Sequence, residues 1–330
     1  MLQQLIDQIT DTQSVKDKLN IARTHQAIGG TVPFIDPFGG TPSNGGRSIP
    51  IKVGDDCAAI PDGNGAYLLF AAEGIITPFL EDAPWFAGYS AVMVNISDIC
   101  SMGGLPLAVT DVVWFKDETD GKDVWAGMLA ASEAYGVPIV GGHTCYRSEK
   151  RHLAVSVLGK ARKLLTSYDA EAGDQLLMAV DLNGTYFRGY PFWDASTTAD
   201  PVHLRKTMRL LYEIAEAGLS GVAKDISMGG IIGTLAMLLH TSAKGACFQL
   251  ENIPRPAGIP WEKWLVSFPS FGYLLTARPE NAGKIKELFT NAAIVCETIG
   301  SITSGSGISI HCGEEKVDID LQLKEEKVDI

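Results

Sequence analysis

The chain has 330 residues, 46% of them hydrophobic and 20% charged, with 39 acidic against 27 basic side chains and a formal net charge of −12. That length and apolar fraction support buried cores in about two domains and exclude a mainly disordered chain. An isoelectric point near 5.0 argues against a generic nucleic-acid or anionic-membrane surface, since those partners are bound by excess Lys and Arg.

Met1 to Ile9 carry Asp7 and no basic stretch followed by an apolar run, so no leader peptide is expected. Apolar residues at loosely helical spacing from Leu2 to Ile21 predict a helix over 1–28, stopped by Gly29-Gly30. The glycine- and proline-rich stretch 36–50 then reads as a mobile loop, either a slack surface connection or a lid over a ligand. Short apolar runs predict strands at 66–72, 107–115, 137–140 and 152–159, with helices at 85–102 and 122–135 between them. A polar turn at 168–174 opens a second unit. It starts with a strand, Gln175-Leu-Leu-Met-Ala-Val180. Helices near 199–217, 231–242 and 279–289 and strands near 246–250, 272–277 and 293–299 follow. The hexapeptide EEKVDI occurs at 314–319 and again at 325–330, the first copy suited to finishing a strand and the second to a solvated end. The predicted class is α/β in two domains. The expected divisions are 1–50 (helix and loop), 51–165, 166–320 and a tail, 321–330. Six cysteines stand singly with no C-x-x-C pair, and no run approaches the ~18 apolar residues of a membrane span. A soluble protein of the reducing cytoplasm is expected.

Four clusters gather acids, small polar groups and glycines. Gly54-Asp55-Asp56-Cys57 follows a strand-like Ile51-Lys52-Val53, and adjacent carboxylates at a strand exit either ligate a hard cation or make an ordinary turn. In the second, Asn95 and Asp98 lie three apart on a helix that Val92, Val94, Ile96, Ile99 and Cys100 make apolar nearly all round. A carboxylate buried in such a helix needs a partner, and a cation is one candidate. Gly103-Gly104 and Pro106 end that helix. The third, Gly141-Gly142-His143-Thr144, follows the strand-like 137–140, and its glycines allow close approach of backbone N–H groups to a phosphate, with Thr144 adding a hydroxyl. A His there is either a structural hydrogen-bonder or a general acid–base group. In the fourth, Lys224-Asp225-Ile226-Ser227-Met228-Gly229-Gly230, glycines opening a helix offer N–H groups to an anion, unless Asp225 or Ser227 is a plain N-cap. Two acidic sites and two glycine-rich sites together describe a metal–nucleotide site. Neither a P-loop nor a dinucleotide-binding fingerprint occurs.

In order and spacing, GDDCAAI, NISDICSMGGLP, GGHT and KDISMGG resemble the superfamily of aminoimidazole ribonucleotide (AIR) synthase, formylglycinamide ribonucleotide amidotransferase, thiamine-monophosphate kinase, selenophosphate synthetase and the hydrogenase-maturation carbamoyl dehydratase. The resemblance covers about 50–305, includes FPSFGYLLTARPE, and is to the stand-alone AIR synthase-related type. It implies two α/β domains, the first of which pairs its sheet with that of a second subunit in a barrel. ATP with Mg²⁺ would lie between the domains and across that homodimer. Asp55 and Asp56 match the first metal-binding acids; Asn95, Ser97 and Asp98 match the Asn-x-Ser-Asp element at phosphates and Mg²⁺. Asp225 matches the second domain's acid, with metal and catalytic roles. Glu73 stands where relatives carry Asp, and His143 where several carry the Asp of Gly-Gly-Asp-Thr. Lys52, Gly103, Gly141, Gly142, Thr144, Ser227, Gly229 and Gly230 complete the implied nucleotide contacts, and Lys116 and Arg147 are further basic residues near the motifs.

With no Cys before Cys57 and an end in Val328-Asp329-Ile330, the selenophosphate and carbamoyl chemistries are disfavoured. The expectation is ATP- and Mg²⁺-dependent phosphoryl transfer to a small molecule, kinase-like or cyclo-ligase-like, with His143 a candidate acid–base group. The alternative is a non-catalytic nucleotide-binding regulator or subunit. Loop 36–50 and the aromatic segment 184–198 are the candidate acceptor regions.

Overall fold

The computed structural model describes residues 1–18, 30–34 and 49–320. Most of the predicted loop at 36–50, the helix beyond 18 and the tail from 321 lie outside the described residues. The chain divides into two units: Ile28–Leu165 with Asp194–Gly218, and Met1–Ala27 with Thr166–Trp193 and Leu219–Ile330.

The unit built on Ile28–Leu165 begins with an antiparallel ribbon, β1 (Thr31–Phe34) and β2 (Ile49–Lys52). Then follow β3 (Ala58–Pro61), β4 (Tyr67–Ile75), α3 (Thr77–Asp82), α4 (Pro84–Ser101), β5 (Leu105–Trp114), α5 (Lys122–Tyr135), β6 (Ile139–Cys145) and β7 (His152–Ala161). The last five strands form one sheet in the order β3-β4-β7-β5-β6, antiparallel except for the β5–β6 pair, which the crossover helix α5 makes possible. Alternation sends Leu69 and Ala71, Leu153, Val155 and Val157, and Val109 and Val113 to the buried face. Each fully buried Val or Leu there contributes about 1.5–3 kcal/mol.

α4 is buried nearly all round, as its composition requires. It meets α5 closely because Gly88 and Gly127 carry no Cβ: one added at Gly127 would lie 1.9 Å from Trp85 O, and one at Gly88 2.2 Å from Val124 O. Two helices distant in sequence, α6 (Pro201–Thr207) and α7 (Leu210–Glu216), join this unit. The physical reason is a polar anchor: Ser196 Oγ lies 2.8 Å from both the Tyr89 and Tyr135 hydroxyls. Arg205 also donates to Glu133 O and Ala134 O at the end of α5.

The other unit holds α1 (Leu2–Thr10) and a second helical stretch, α2 (13–18). It continues with β8 (Gln175–Val180), a short hairpin of β9 (Thr185–Tyr186) and β10 (Phe192–Asp194), β11 (Val222–Asp225), α8 (Gly230–Ser242) and β12 (Gly245–Gln249). After α9 (Trp261–Trp264) and β13 (Phe268–Pro269) come β14 (Gly272–Ala277), α10 (Pro279–Thr290), β15 (Val295–Thr303), β16 (Gly307–Cys312) and β17 (Glu315–Ile319). The main sheet runs β11-β14-β8-β15-β12-β16-β17. Its interior strand β8 is apolar and buried from Leu176 to Val180, as a strand covered on both faces requires. The first EEKVDI copy supplies β17, which pairs with β16.

Candidate functional site

Asp55 and Asp56 occupy the turn between β2 and β3, where Gly54 takes φ +112°. Asp55 behaves as a turn residue, its Oδ1 accepting from the Asp56 amide at 3.0 Å. Asp56 instead reaches α4: the buried Ser101 hydroxyl lies 2.7 Å from both Asp56 Oδ2 and Asp98 O. Cys57 Sγ donates to Asp98 O at 3.2 Å, tying the same turn to the end of the helix. Carboxylate oxygens of Asp56 and Asp98 thereby come within 4.8 Å of each other, and Asp98 is only 7% exposed.

One helical turn earlier is Asn95, fully buried. Its Nδ2 donates to Ala91 O at 2.7 Å, while its Oδ1 has no hydrogen-bond partner among the described residues. The paired carboxylates of Asp56 and Asp98, with the orphaned amide oxygen of Asn95 on the same helix as Asp98, offer only oxygen donors, which suits a hard cation such as Mg²⁺. Ser97 is buried beside them. Gly103 has a different explanation: with φ +71° and its amide bonded to Cys100 O, it ends α4, and a Cβ there would crowd Ala215, Lys163 and Leu165.

Glu73 is exposed on β4 and stands in one cross-strand row with Val155, Asp111 and Gly142. Gly141-Gly142-His143-Thr144, expected after a strand, lies inside β6 instead. A register shift between Val109 and Asp111 absorbs the extra residue beside Gly141. The space beside Gly142 is taken by Asp111, whose backbone and carboxylate oxygens would lie 2.5–2.6 Å from an added Cβ, whereas the space beside Gly141 is open. His143 pairs with Val112 and so points to the opposite face from Asp111. β3 and β6 are the two edges of the sheet, four spacings of about 4.8 Å or about 19 Å apart. The single chain therefore does not bring His143 to the Asp56–Asp98 pair. Lys52 ends β2, exposed. Lys116 and Arg147 meet in the loops after β5 and β6, through Arg147 N to Lys116 O.

In the other unit, Asp225 ends β11, buried beside the buried Lys224. The turn that follows corrects the expectation of open amides at the start of α8. Gly230 N donates to Ser227 O and Ile231 N to Leu265 O, and Gly229 and Gly230 take φ +88° and +61° to make this tight turn. What sequence reasoning missed is Lys18. Its ammonium donates to Ser227 Oγ at 2.7 Å, and its stem lies over Gly229 and Gly233. Nothing in the local sequence signals that long-range contact. Asp111 was also missed, although an acid in the inward phase of the strand Leu105–Trp114 was a visible anomaly.

The chain matches the family model "AIR synthase related protein, N-terminal domain" over 54–161 and the corresponding C-terminal domain over 171–313. It is 46% identical over 271 residues to protein sll0787 of Synechocystis sp. (strain ATCC 27184 / PCC 6803 / Kazusa), covering 82% of this chain and 84% of that one. Among solved structures, Thermotoga maritima PurL complexed with ATP superposes with a TM-score of 0.66 at 21% identity, covering 78% of this chain and 44% of its own. The present chain thus spans under half the length of that relative. AaThiL complexed with AMPPCP and TMP gives 0.62 at 20% identity, covering 80% and 90%. These structural likenesses establish the fold.

Proposed function

Because this chain belongs to the AIR synthase-related family, we propose that it binds ATP with Mg²⁺ and transfers the γ-phosphoryl group to a small-molecule acceptor. The transfer either yields the product directly or activates an amide-type oxygen for attack by nitrogen. The observation that carries this reading is the Asp56–Asp98 pair, with the orphaned Asn95 Oδ1 on the same helix three residues before Asp98. Mg²⁺ characteristically takes one or two carboxylates and leaves its other positions to water and phosphate oxygens, and bound there it would neutralise charge on the phosphates. Structures of PurL with ATP and of ThiL with AMPPCP share the fold and lend support.

In this reading Asp56 and Asp98 hold the cation, Asp55 and Glu73 are further acids of the same unit, and Asp225 is a candidate metal-binding and catalytic acid of the other unit. Asn95 and Ser97 orient phosphate oxygens. Gly141, with room beside it, and Thr144 offer phosphate contacts on β6, and Lys52 and Gly142 are weaker candidates for that role. In the other unit Lys18 and Ser227 supply a cation and a hydroxyl at the Gly229-Gly230 turn. His143 is the candidate acid–base group. A second copy of the chain is part of the proposal, because the open sheet face bears Phe70, Trp114 and Leu158.

The test is thermal denaturation with and without saturating Mg-ATP, in the wild type and in Asp98→Ala. A ligand at 100 times its Kd raises stability by about 2.7 kcal/mol. The expected result is a clear rise in melting temperature for the wild type and little or none for the variant. No rise in the wild type ends both the enzymatic reading and its alternative, a nucleotide-binding regulator. ADP release in the presence of candidate acceptors then separates those two.

A further inference from the structure

Asp111 is a buried acid that the proposed phosphoryl transfer does not use. It shares the inward face of β5 with Val109 and Val113, is 3% exposed, and has no hydrogen-bond partner for either carboxylate oxygen among the described residues. It stands apart from the Asp56–Asp98 pair. A Cβ added at Gly104 or Gly159 would meet the Ile99 side chain, so the Asp98 end of α4 sits over the Leu105 end of β5. Asp111 is six residues further along that strand, about 20 Å.

What separates the carboxyl from solvent is one glycine. A Cβ added to Gly142 would fall 2.6 Å from both Asp111 carboxylate oxygens, so the carboxyl packs directly on the Gly142 backbone. Gly142 belongs to β6, an edge strand exposed from Val140 to Thr144, and the β5–β6 register shifts just before this contact, between Val109 and Asp111. Among the described residues no cation of this unit faces the acid. Beside it β7 presents Val155, with Leu153 and Val157 to either side, and His143 on β6 faces away. α4 brings the buried Tyr89, Asp98 and Cys100 and α5 the buried Tyr135, while Lys122, Asp123 and Glu133 of α5 are exposed. Glu73 stands in the same row, two strands away. Such a pocket tolerates a neutral carboxyl and rejects an ionised one until water reaches it. Burial accordingly pushes this group up to about 6.

We propose that Asp111 is a positioning residue for Gly141–Thr144: its protonated carboxyl lets β6 lie flush on β5, and its ionised form lifts the strand at the register shift until water reaches the charge. In the lifted form the carboxyl titrates near its ordinary value of about 4. Lifting therefore becomes easier as pH rises from about 4 to about 6 and changes little above that. The segment that moves is the one offered above for phosphate contacts on β6. The link to the nucleotide rests on that reading, whereas the response of the strand to the proton does not.

Hydrogen exchange of the amides at 142–145 in the full chain, at pH 5 and pH 7 and corrected for intrinsic rates, tests the latch. Relative to Asp111→Asn, which cannot ionise, the wild type is expected to exchange about tenfold faster at pH 7 than at pH 5, the ratio that linked values of about 4 and 6 give. These amides are also expected to exchange well before those of the interior strand β7, which marks a local opening. Gly142→Ala, whose Cβ takes the place of the carboxyl, is expected to exchange fast at both pH values. The proposal is overturned if the wild type and Asp111→Asn share one pH dependence, or if Gly142→Ala exchanges as slowly as the wild type at pH 5. Equal rates in β6 and β7 also overturn it, since the acid then acts only through global unfolding. Saturating Mg-ATP is expected to slow exchange at 142–145. If it raises the melting temperature and leaves these amides unchanged, the positioning role is overturned. If it does not raise the melting temperature, the phosphoryl-transfer reading fails, and the pH response alone decides the latch.

Discussion

At the scale of single residues, Asp111 is the anomaly. It is 3% exposed, and neither carboxylate oxygen has a hydrogen-bond partner among the described residues. Its row neighbours are Val155 and Gly142. The buried titratable groups on the covering helices α4 and α5 are Tyr89, Asp98, Cys100 and Tyr135, and no buried Lys or Arg of this unit accompanies them among the described residues. Burial therefore pushes the Asp111 carboxyl up to about 6. Since the folded value lies above the unfolded one, the native state holds the extra proton. The stability this gives is complete below about pH 4 and is lost as pH rises through about 6, a change of about 3 kcal/mol at most. Asp111→Asn cannot titrate, so urea denaturation at intervals from pH 4 to 8 is expected to show the wild type losing stability relative to the variant across that window. Parallel curves would mean that the carboxyl is satisfied by water or a cation.

Elements show how the same residue type takes opposite roles. Ala is favoured over Gly inside a helix by about 1 kcal/mol. Gly283 on α10 has nothing within 4 Å of an added Cβ, and Gly283→Ala is expected to stabilise by up to that amount. Gly127 on α5 has Trp85 O at 1.9 Å, so Gly127→Ala must push α4 and α5 apart and is expected to cost about 3 kcal/mol. Denaturant midpoints of the two variants moving in the same direction would contradict this account of the α4–α5 contact. Much at this scale was legible in sequence. Helical periodicity predicted α5 at 122–135 and a short apolar run predicted β14 at 272–277, because those signals are local. The all-round burial of α4 and the inward pull on Asp98 were likewise readable. β6 was cut short because two glycines look like a loop when the bulge that accommodates them belongs to the pairing with β5. The hairpin beside β13, the attachment of α6 and α7, and the reach of Lys18 to Ser227 all depend on partners distant in sequence, which periodicity does not report.

For the whole molecule the question is what the open sheet face is for. α4 and α5 cover one face. On the other, Phe70 and Leu158 stand side by side on β4 and β7 at 50% and 39% exposure, and Trp114, 37% exposed, lies on the same face opposite His152, farther along β7. Large apolar side chains exposed on one face of a stable sheet mark an interaction site, and a two-fold partner is the commonest occupant. Leu158→Glu is expected to convert a dimer to a monomer in sedimentation while leaving the fold intact, because the side chain is already partly exposed in the single chain. The same interface has a consequence for the nucleotide site. Asp98 lies with the turn that leads into β3, and Thr144 lies on β6 at the opposite edge. If two copies closed their sheets into a barrel about a two-fold parallel to the barrel axis, the β6 edge of one would stand beside the β3 edge of the other, and each proposed site would draw Asp98 from one copy and Thr144 from its partner. Asp98→Ala and Thr144→Glu are each expected to abolish Mg-ATP binding alone. After unfolding, mixing and refolding, half the dimers are mixed and each holds one intact site, so about a quarter of the wild-type nucleotide should be bound per chain. If the mixture binds no more than the separate variants, each chain builds its site from its own residues, and the apolar face serves association alone.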